Sequence, residues 1–196
     1  DAHGKVTVLL VVYATADQVL IELPASLTEK TLQTIDRYLI SEKAYFEAVD
    51  DAFAILSVQG PAARGLLEGL AGVTLELARH AHAEVTIGGA PVRVINRAEG
   101  PAPGFHCWVP VEHAAAVRSA LESAGAVPAG DETLAVLRIE AGQPWYPQDV
   151  DDSVILPETR LDALVSYTKG CYIGQETVAR VKYRGHVNRA LSGLVI

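Results

Sequence analysis

The most informative stretch of this chain is Lys169-Gly-Cys-Tyr-Ile-Gly-Gln-Glu176. It places a lysine two residues before a cysteine, and glycines stand on both sides of the thiol. The lysine charge favours the thiolate, which is the reactive form of cysteine. Residues 175–181 then predict a short helix, whose N-terminus directs positive partial charge back toward the sulfur. The pattern indicates a loop that presents Cys171 to a ligand, with Lys169 beside it.

The octapeptide matches every specified position of the pattern K-G-C-Y-x-G-Q-E. Val178-Ala-Arg180 and Arg184-Gly-His-Val-Asn-Arg189 extend the match. On these residues the chain resembles the YgfZ family, the folate-binding iron–sulfur maintenance proteins related to the glycine-cleavage aminomethyltransferase, or T-protein. The resemblance implies an α+β fold in which two small antiparallel α+β subdomains enclose a folate cleft. A C-terminal β-barrel follows in that family, and we expect it to be absent here because the chain stops at Ile196.

Periodicity and turn residues predict an α+β architecture independently of the resemblance, because short strands and helices alternate without a long parallel series. Strands are expected over 5–13, 18–23, 44–49, 52–58, 84–87, 91–96 and 104–109. We expect the first two to form a hairpin, the strands 84–87 and 91–96 to form another about Gly88-Gly89, and residues 97–104 to form a hairpin loop. Helices are expected over 28–39, 61–70, 111–124 and 132–140, with Asp131 as the cap of the last one. We expect residues 1–50 and 143–196 to form a first subdomain and residues 51–142 a second, ferredoxin-like one.

A second informative stretch is Leu137-Arg-Ile-Glu-Ala-Gly142. From spacing alone it reads as a helix end with Arg138 and Glu140 on different faces and Gly142 as the stop. A surface glutamate in an ion pair is the plain structural interpretation. The resemblance implies more, since similar segments in aminomethyltransferases supply a glutamate to the pterin of tetrahydrofolate. A carboxylate accepts two parallel hydrogen bonds from the ring N–H and the exocyclic amine.

The predicted site has two groups. Lys169 and Cys171 are the candidate catalytic residues. The candidate cofactor-binding residues are Glu140, Tyr146, Gln175, Glu176 and Arg180, and the expected cofactor is tetrahydrofolate or a folate derivative. Tyr146 offers a flat surface for an aromatic ligand, although packing beside Pro147 is the interpretation that its sequence context favours.

Composition narrows the remaining possibilities. The chain has 196 residues, a net charge of −8 and no apolar run long enough for a transmembrane helix, so we expect no membrane contact. Two cysteines cannot supply four thiolates for a cluster, and no metal site is predicted. Cysteine usage favours a reducing cytoplasm. The segment 169–189 has a net charge of about +4, and the rest of the chain about −12. A basic segment suits the anionic tail of a folate. Direct nucleic-acid binding is not expected, because the chain lacks the basic surface that such binding usually needs over a whole domain.

Three functions therefore remain open. The first, which the resemblance implies, is a tetrahydrofolate-binding protein that supports iron–sulfur cluster assembly or repair, and thereby tRNA modification by iron–sulfur enzymes. Its partners would be folate and iron–sulfur proteins. The second is an aminomethyltransferase that transfers a one-carbon unit to tetrahydrofolate. The third is a non-enzymatic module that binds anions or RNA. Whether the chain is an enzyme is left open by the sequence.

Overall fold

A computed structural model describes residues 1–41 and 43–194 of the chain. It contains the predicted mixture of helices and antiparallel strands, so the α+β class is confirmed. The residues pack as two compact units. The first comprises 1–11, 22–31 and 144–196, and the second comprises 12–21 and 32–143. This grouping places residues 12–21 and 32–50 with the second unit, whereas the expected first subdomain includes all of residues 1–50.

A four-stranded antiparallel sheet organises the second unit, with strand order β3-β6-β5-β4. Its strands are β3 (Phe53–Gln59), β4 (His82–Ile87), β5 (Ala90–Asn96) and β6 (Gly104–Pro110). The predicted hairpin about Gly88-Gly89 joins β4 to β5, and the loop over 97–103 joins β5 to β6. The three strands β4, β5 and β6 form a meander, so the order of elements is β-α-β-β-β-α rather than the β-α-β-β-α-β order of a ferredoxin-like unit.

Two helices cover one face of this sheet. Helices α2 (Ala63–Ala71) and α3 (Ala114–Ser123) each bury a pair of apolar residues four apart, which places both side chains on one helix face. These pairs pack against alternate residues of the strands, and together they form the main apolar core. Cys107 lies within that core and is fully buried. Removal from water raises the pKa of the Cys107 thiol to about 12.

Strands β1 (Val11–Ala14) and β2 (Val19–Glu22) form the predicted N-terminal hairpin. The first strand is much shorter than expected, because residues 5–10 are irregular apart from a single bridge between Lys5 and Ile155. Helix α1 (Thr28–Asp36) follows a short 3₁₀ turn. The strand predicted over 44–49 is wrong: residues 43–49 are irregular and exposed, so their apolar side chains meet no partner strand.

The last two helices carry four of the seven candidate site residues, namely Glu140, Gln175, Glu176 and Arg180. Helix α4 (Asp131–Glu140) belongs to the second unit, and α5 (Gln175–Arg184) belongs to the first. Asp131 does not cap α4 as expected, since it is the first helical residue and Gly130 occupies the cap position. No helix in the described part of the chain is long and apolar enough to cross a membrane.

Gly174 fixes how the chain enters α5. Its φ is +81°, a left-handed conformation that residues with a Cβ rarely adopt. A Cβ at this position would also collide with the Asp1 carbonyl oxygen and lie 3.0 Å from the Gly4 Cα. Gly170, the other glycine of the octapeptide, has open space around it. The two glycines therefore have different structural requirements.

We predict that Gly174→Ala destabilises the protein by about 1–3 kcal/mol, because the new Cβ combines left-handed strain with backbone overlap. Gly170→Ala is the matched control and should change the free energy of unfolding by less than about 0.5 kcal/mol. Urea denaturation of the three proteins measures both effects. Equal stability of the two variants would contradict this assignment.

The two cysteines should differ sharply in reactivity, since Cys107 is buried and Cys171 is exposed. At pH 8 only roughly one in ten thousand Cys107 thiols would be ionised, given a pKa of about 12. A disulfide-exchange reagent such as DTNB should therefore titrate one thiol in the native protein and the second only after unfolding. The Cys171→Ser variant should show no rapid reaction. Two rapidly reacting thiols in the native wild type would disprove the burial of Cys107.

Candidate functional site

Glu140 is the last residue of α4, and the helix ends there in a well-defined motif. The Gly142 N–H donates to the Ile139 carbonyl at 3.0 Å, and the Gln143 N–H donates to the Arg138 carbonyl at 2.8 Å. Gly142 has a φ of +65°. These two bonds and the left-handed glycine define a Schellman motif, which satisfies carbonyls that a helix end otherwise leaves open. Gly142 is thus the predicted stop.

The Glu140 carboxylate is exposed at this helix end. Among the residues that the structure describes, no hydrogen bond or ion pair reaches it. The C-terminus of a helix carries negative partial charge, so a carboxylate there is unfavourable for stability. An exposed acid in an unfavourable position, with its oxygens open to solvent, can accept hydrogen bonds from a ligand.

Arg138 lies on the opposite side of α4, as its spacing from Glu140 predicts. Its side chain is buried, with 6% exposure. The Arg138 Nη1 donates to the main-chain oxygen of Gln143 at 3.4 Å. Neither Arg138 nor Gln143 was singled out from the sequence as part of the site. Their contact depends on a left-handed turn at Gly142, which brings residues five apart together and which residue spacing on a straight helix does not anticipate.

The cysteine loop, residues 169–174, lies in the first unit and leaves the Cys171 thiol exposed. The Lys169 ammonium sits over the Tyr172 ring, 4.8 Å from its centroid. Such a cation–π contact holds the side chain near the loop without neutralising its charge. Gln175 turns back onto the loop, where its Oε1 accepts a hydrogen bond from the Tyr172 N–H at 3.3 Å. The carboxamide oxygen of Gln175, a predicted folate-binding residue, therefore already accepts a hydrogen bond within the protein.

Glu176 and Arg180 pair with each other on the exposed face of α5, where the Arg180 Nη2 donates to the Glu176 Oε1 at 2.6 Å. Their spacing of four residues is the one that brings helix side chains together. Both groups are largely solvated, so the pair contributes little to stability and would separate readily in favour of a ligand.

Acidic side chains neutralise part of the positive charge of the segment 169–189. The Arg189 guanidinium donates two hydrogen bonds to the Glu158 carboxylate, at 2.8 and 3.2 Å. The Lys182 ammonium lies 4.0 Å from the Asp162 carboxylate. The Arg189 hydrogen bonds lower the pKa of Glu158, which keeps that pair charged. Because Asp162 and Glu158 lie outside the segment in sequence, the local positive charge is smaller than the residue count suggests.

Tyr146 occupies a different environment from the one expected of a ligand platform. Its ring is 6% exposed and packs with Val6 and Val150 in the small core of the first unit. The Lys30 ammonium donates to the Tyr146 hydroxyl oxygen at 3.1 Å, and this hydrogen bond raises the pKa of Lys30. The packed arrangement matches the structural interpretation of the Trp145-Tyr146-Pro147 sequence.

A pocket in the first unit has a volume of about 190 Å³. Pockets that hold drug-sized ligands are usually ~300–1,000 Å³, so this space is small for a complete folate. Its lining contains none of the predicted site residues and consists of Asp149, Val150, Val154, Glu158, Thr159, Arg189, Ala190 and Leu191. The candidate residues instead divide between the units, with Glu140 in the second and all the others in the first.

Comparison with known proteins gives a consistent family assignment. A curated protein from Thermosynechococcus vestitus, named aminomethyltransferase, is 29% identical over 205 aligned residues, which cover 98% of this chain and 55% of the relative. An aminomethyltransferase from Streptomyces coelicolor is 31% identical over 74% of this chain and 41% of its own length. A protein from Yersinia enterocolitica, named tRNA-modifying protein YgfZ, is 32% identical over 97% of this chain and 56% of its own length.

The chain thus spans about half the length of the curated relatives it matches. The pattern that describes the GCVT N-terminal domain matches residues 1–169. The match includes helix α4 with Glu140 and ends at the first residue of the cysteine loop. Since it covers most of the chain, this protein belongs to the family of GCVT N-terminal domains.

Proposed function

We propose that this protein binds tetrahydrofolate through Glu140 and supports iron–sulfur cluster assembly or repair. The observation that carries folate binding is the exposed Glu140 carboxylate at the ordered end of α4. Two neighbouring N–H groups of a pterin match the two oxygens of a carboxylate, and hydrogen bonds of this charge-assisted type are strong and directional. The two acceptor oxygens of the carboxylate therefore fit the pterin donors, and Glu140 serves as the anchor of the pterin.

The exposed thiol favours the cluster-supporting role over a simple folate carrier. Cys171 is exposed and free, whereas Cys107 is buried, so this chain offers one reactive sulfur and cannot itself enclose a four-thiolate cluster. In this proposal Cys171 and Lys169 act on partner iron–sulfur proteins or their cofactors. The effect on tRNA modification is indirect and passes through iron–sulfur enzymes. A reducing cytoplasm is the compartment in which Cys171 would remain a free thiol.

An aminomethyltransferase activity is the second candidate, and the names of the relatives from Thermosynechococcus vestitus and Streptomyces coelicolor favour it. Such an enzyme would share the pterin anchor at Glu140 but would not require Cys171. Glycine-dependent transfer of a methylene unit to tetrahydrofolate, assayed with the aminomethyl carrier protein, separates the two candidates. Turnover that is insensitive to Cys171→Ala would favour the transferase.

Direct RNA binding has the least support. Three of the five cations in the segment 169–189 have acidic neighbours. The whole chain carries a net charge of −8, whereas nucleic-acid binding usually needs a field that is basic over a whole surface. An RNA affinity that falls steeply with added salt would be needed to revive this candidate.

Glu140→Gln should weaken tetrahydrofolate binding by about 10- to 100-fold, because the charge-assisted bonds are lost and the amide presents a donor to a donor. Anaerobic calorimetric titration of the wild type and the variant measures this difference. Glu132→Gln, an exposed change at the other end of α4, is the matched control and should leave the affinity unchanged. Glu140→Gln should also raise the free energy of unfolding by about 0.5 kcal/mol, since the unfavourable charge at the helix C-terminus is removed.

The absence of saturable binding by the wild type would disprove folate binding outright. Undiminished affinity in Glu140→Gln would instead show that the pterin is held elsewhere. The stability measurement ensures that weak binding is not mistaken for unfolding.

Cys171→Ala should retain tetrahydrofolate affinity within about twofold, because the thiol is not an anchor of the pterin. The same variant should fail to restore iron–sulfur enzyme activity in a bacterial strain that lacks its own YgfZ protein. Gly170→Ala, a change beside the thiol at an open position, is the control for loop structure. Full rescue by Cys171→Ala would remove the thiol from the proposed function.

A further inference from the structure

We infer that Gln143 is a positioning residue for the Glu140 carboxylate. The inference rests on the proposed role of Glu140 in pterin binding. Gln143 lies three residues after Glu140 and outside helix α4. The sequence does not mark it as a residue that contacts the ligand. Its contacts nevertheless connect the end of α4 to the central sheet of the second unit.

Gln143 makes three hydrogen bonds that hold the turn after Glu140. Its N–H donates to the Arg138 carbonyl at 2.8 Å, and its own carbonyl accepts from the Arg138 Nη1 at 3.4 Å. Its side-chain Nε2 donates to the Ala98 carbonyl at 3.1 Å. The first two bonds close the turn on the helix, and the third attaches that turn to a separate element.

The loop that receives this third bond is itself anchored to the sheet. The Arg97 N–H donates to the Gly104 carbonyl at 2.9 Å, which continues the pairing of β5 with β6. The Glu99 N–H donates to the Gln59 Oε1 at 2.9 Å, and the Gln59 Nε2 donates to the Arg97 carbonyl at 3.2 Å. Gln59 is the last residue of β3, and Gly104 is the first residue of β6. Hydrogen bonds from both strands therefore hold the residues on either side of Ala98.

Packing supports the same connection. A Cβ placed on Gly100 would lie 3.4 Å from the Leu137 Cβ, so the loop backbone approaches α4 closely one turn before its end. Helix ends fray when their last carbonyls and side chains lack partners. The Gln143–Ala98 bond therefore restrains the backbone at the end of α4, and with it the direction in which the Glu140 side chain leaves the helix.

A bidentate ligand contact is sensitive to that direction. Functional groups have to be held within about 0.5 Å of their productive position for two parallel hydrogen bonds to form together. Gln143 would thus contribute to pterin affinity without touching the pterin. Loss of its side-chain donor should weaken only those contacts that depend on the orientation of Glu140.

A double-mutant cycle on tetrahydrofolate affinity tests this inference. Gln143→Met keeps the size of the side chain and removes the donor, and in the Glu140 background it should raise Kd about three- to tenfold. In the Glu140→Gln background the same change should raise Kd by less than about twofold, because the bidentate contact is already lost. Gln148→Met, at an exposed position, is the matched control.

Gln143→Lys retains an N–H donor and should restore affinity to within about threefold of the wild type. If Gln143→Met does not fold, Gln143→Glu replaces it, since a carboxylate facing the Ala98 carbonyl should weaken binding in the same way. Equal weakening in both Glu140 backgrounds, or none in either, would overturn the positioning role while leaving folate binding intact. Failure of the wild type to bind tetrahydrofolate would overturn the proposed function as well as this inference.

Discussion

The closure of helix α4 at Gly142 is the constraint on which the candidate site depends. A left-handed residue at this point allows two main-chain hydrogen bonds to end the helix, and the chain then turns so that Gln143 faces Arg138. The turn leaves Glu140 exposed on one side and buries Arg138 on the other. The helix end thus presents a carboxylate where the helix dipole disfavours it, and the main-chain hydrogen bonds of the turn fix the backbone that carries it.

Local sequence patterns predicted those elements whose formation depends on residues close together in the chain. The hairpin at Gly88-Gly89 and helices α2 and α3 were expected from turn residues and apolar spacing, and their cores form as those patterns require. The strand expected over 44–49 failed because a strand needs a partner, and alternation in one segment cannot supply it. The meander of β4, β5 and β6 follows from the two predicted hairpin loops, whereas the pairing of β3 with β6 is long-range and no local pattern indicates it.

In the candidate site too, the sequence predicted local features better than contacts between residues that are distant in the chain. Glu140 was identified through a resemblance, and its exposure agrees with a ligand-binding role. The basic character of the segment 169–189 was overestimated, because Glu158 and Asp162 are distant in sequence and close in space. For Tyr146 the sequence allows either a ligand platform or packing beside a proline, and the structure places the residue in a small core. Residue types indicate what chemistry is possible, while burial and pairing decide which groups remain available for it.

A crystal structure of the protein with tetrahydrofolate would show whether Glu140 anchors the pterin. Both Glu140 carboxylate oxygens should lie ~2.7–2.9 Å from neighbouring pterin nitrogens. The Gln143 Nε2 should remain bonded to the Ala98 carbonyl oxygen, which lies 3.1 Å from it. A bound pterin that makes no contact with Glu140 would rule out this anchor.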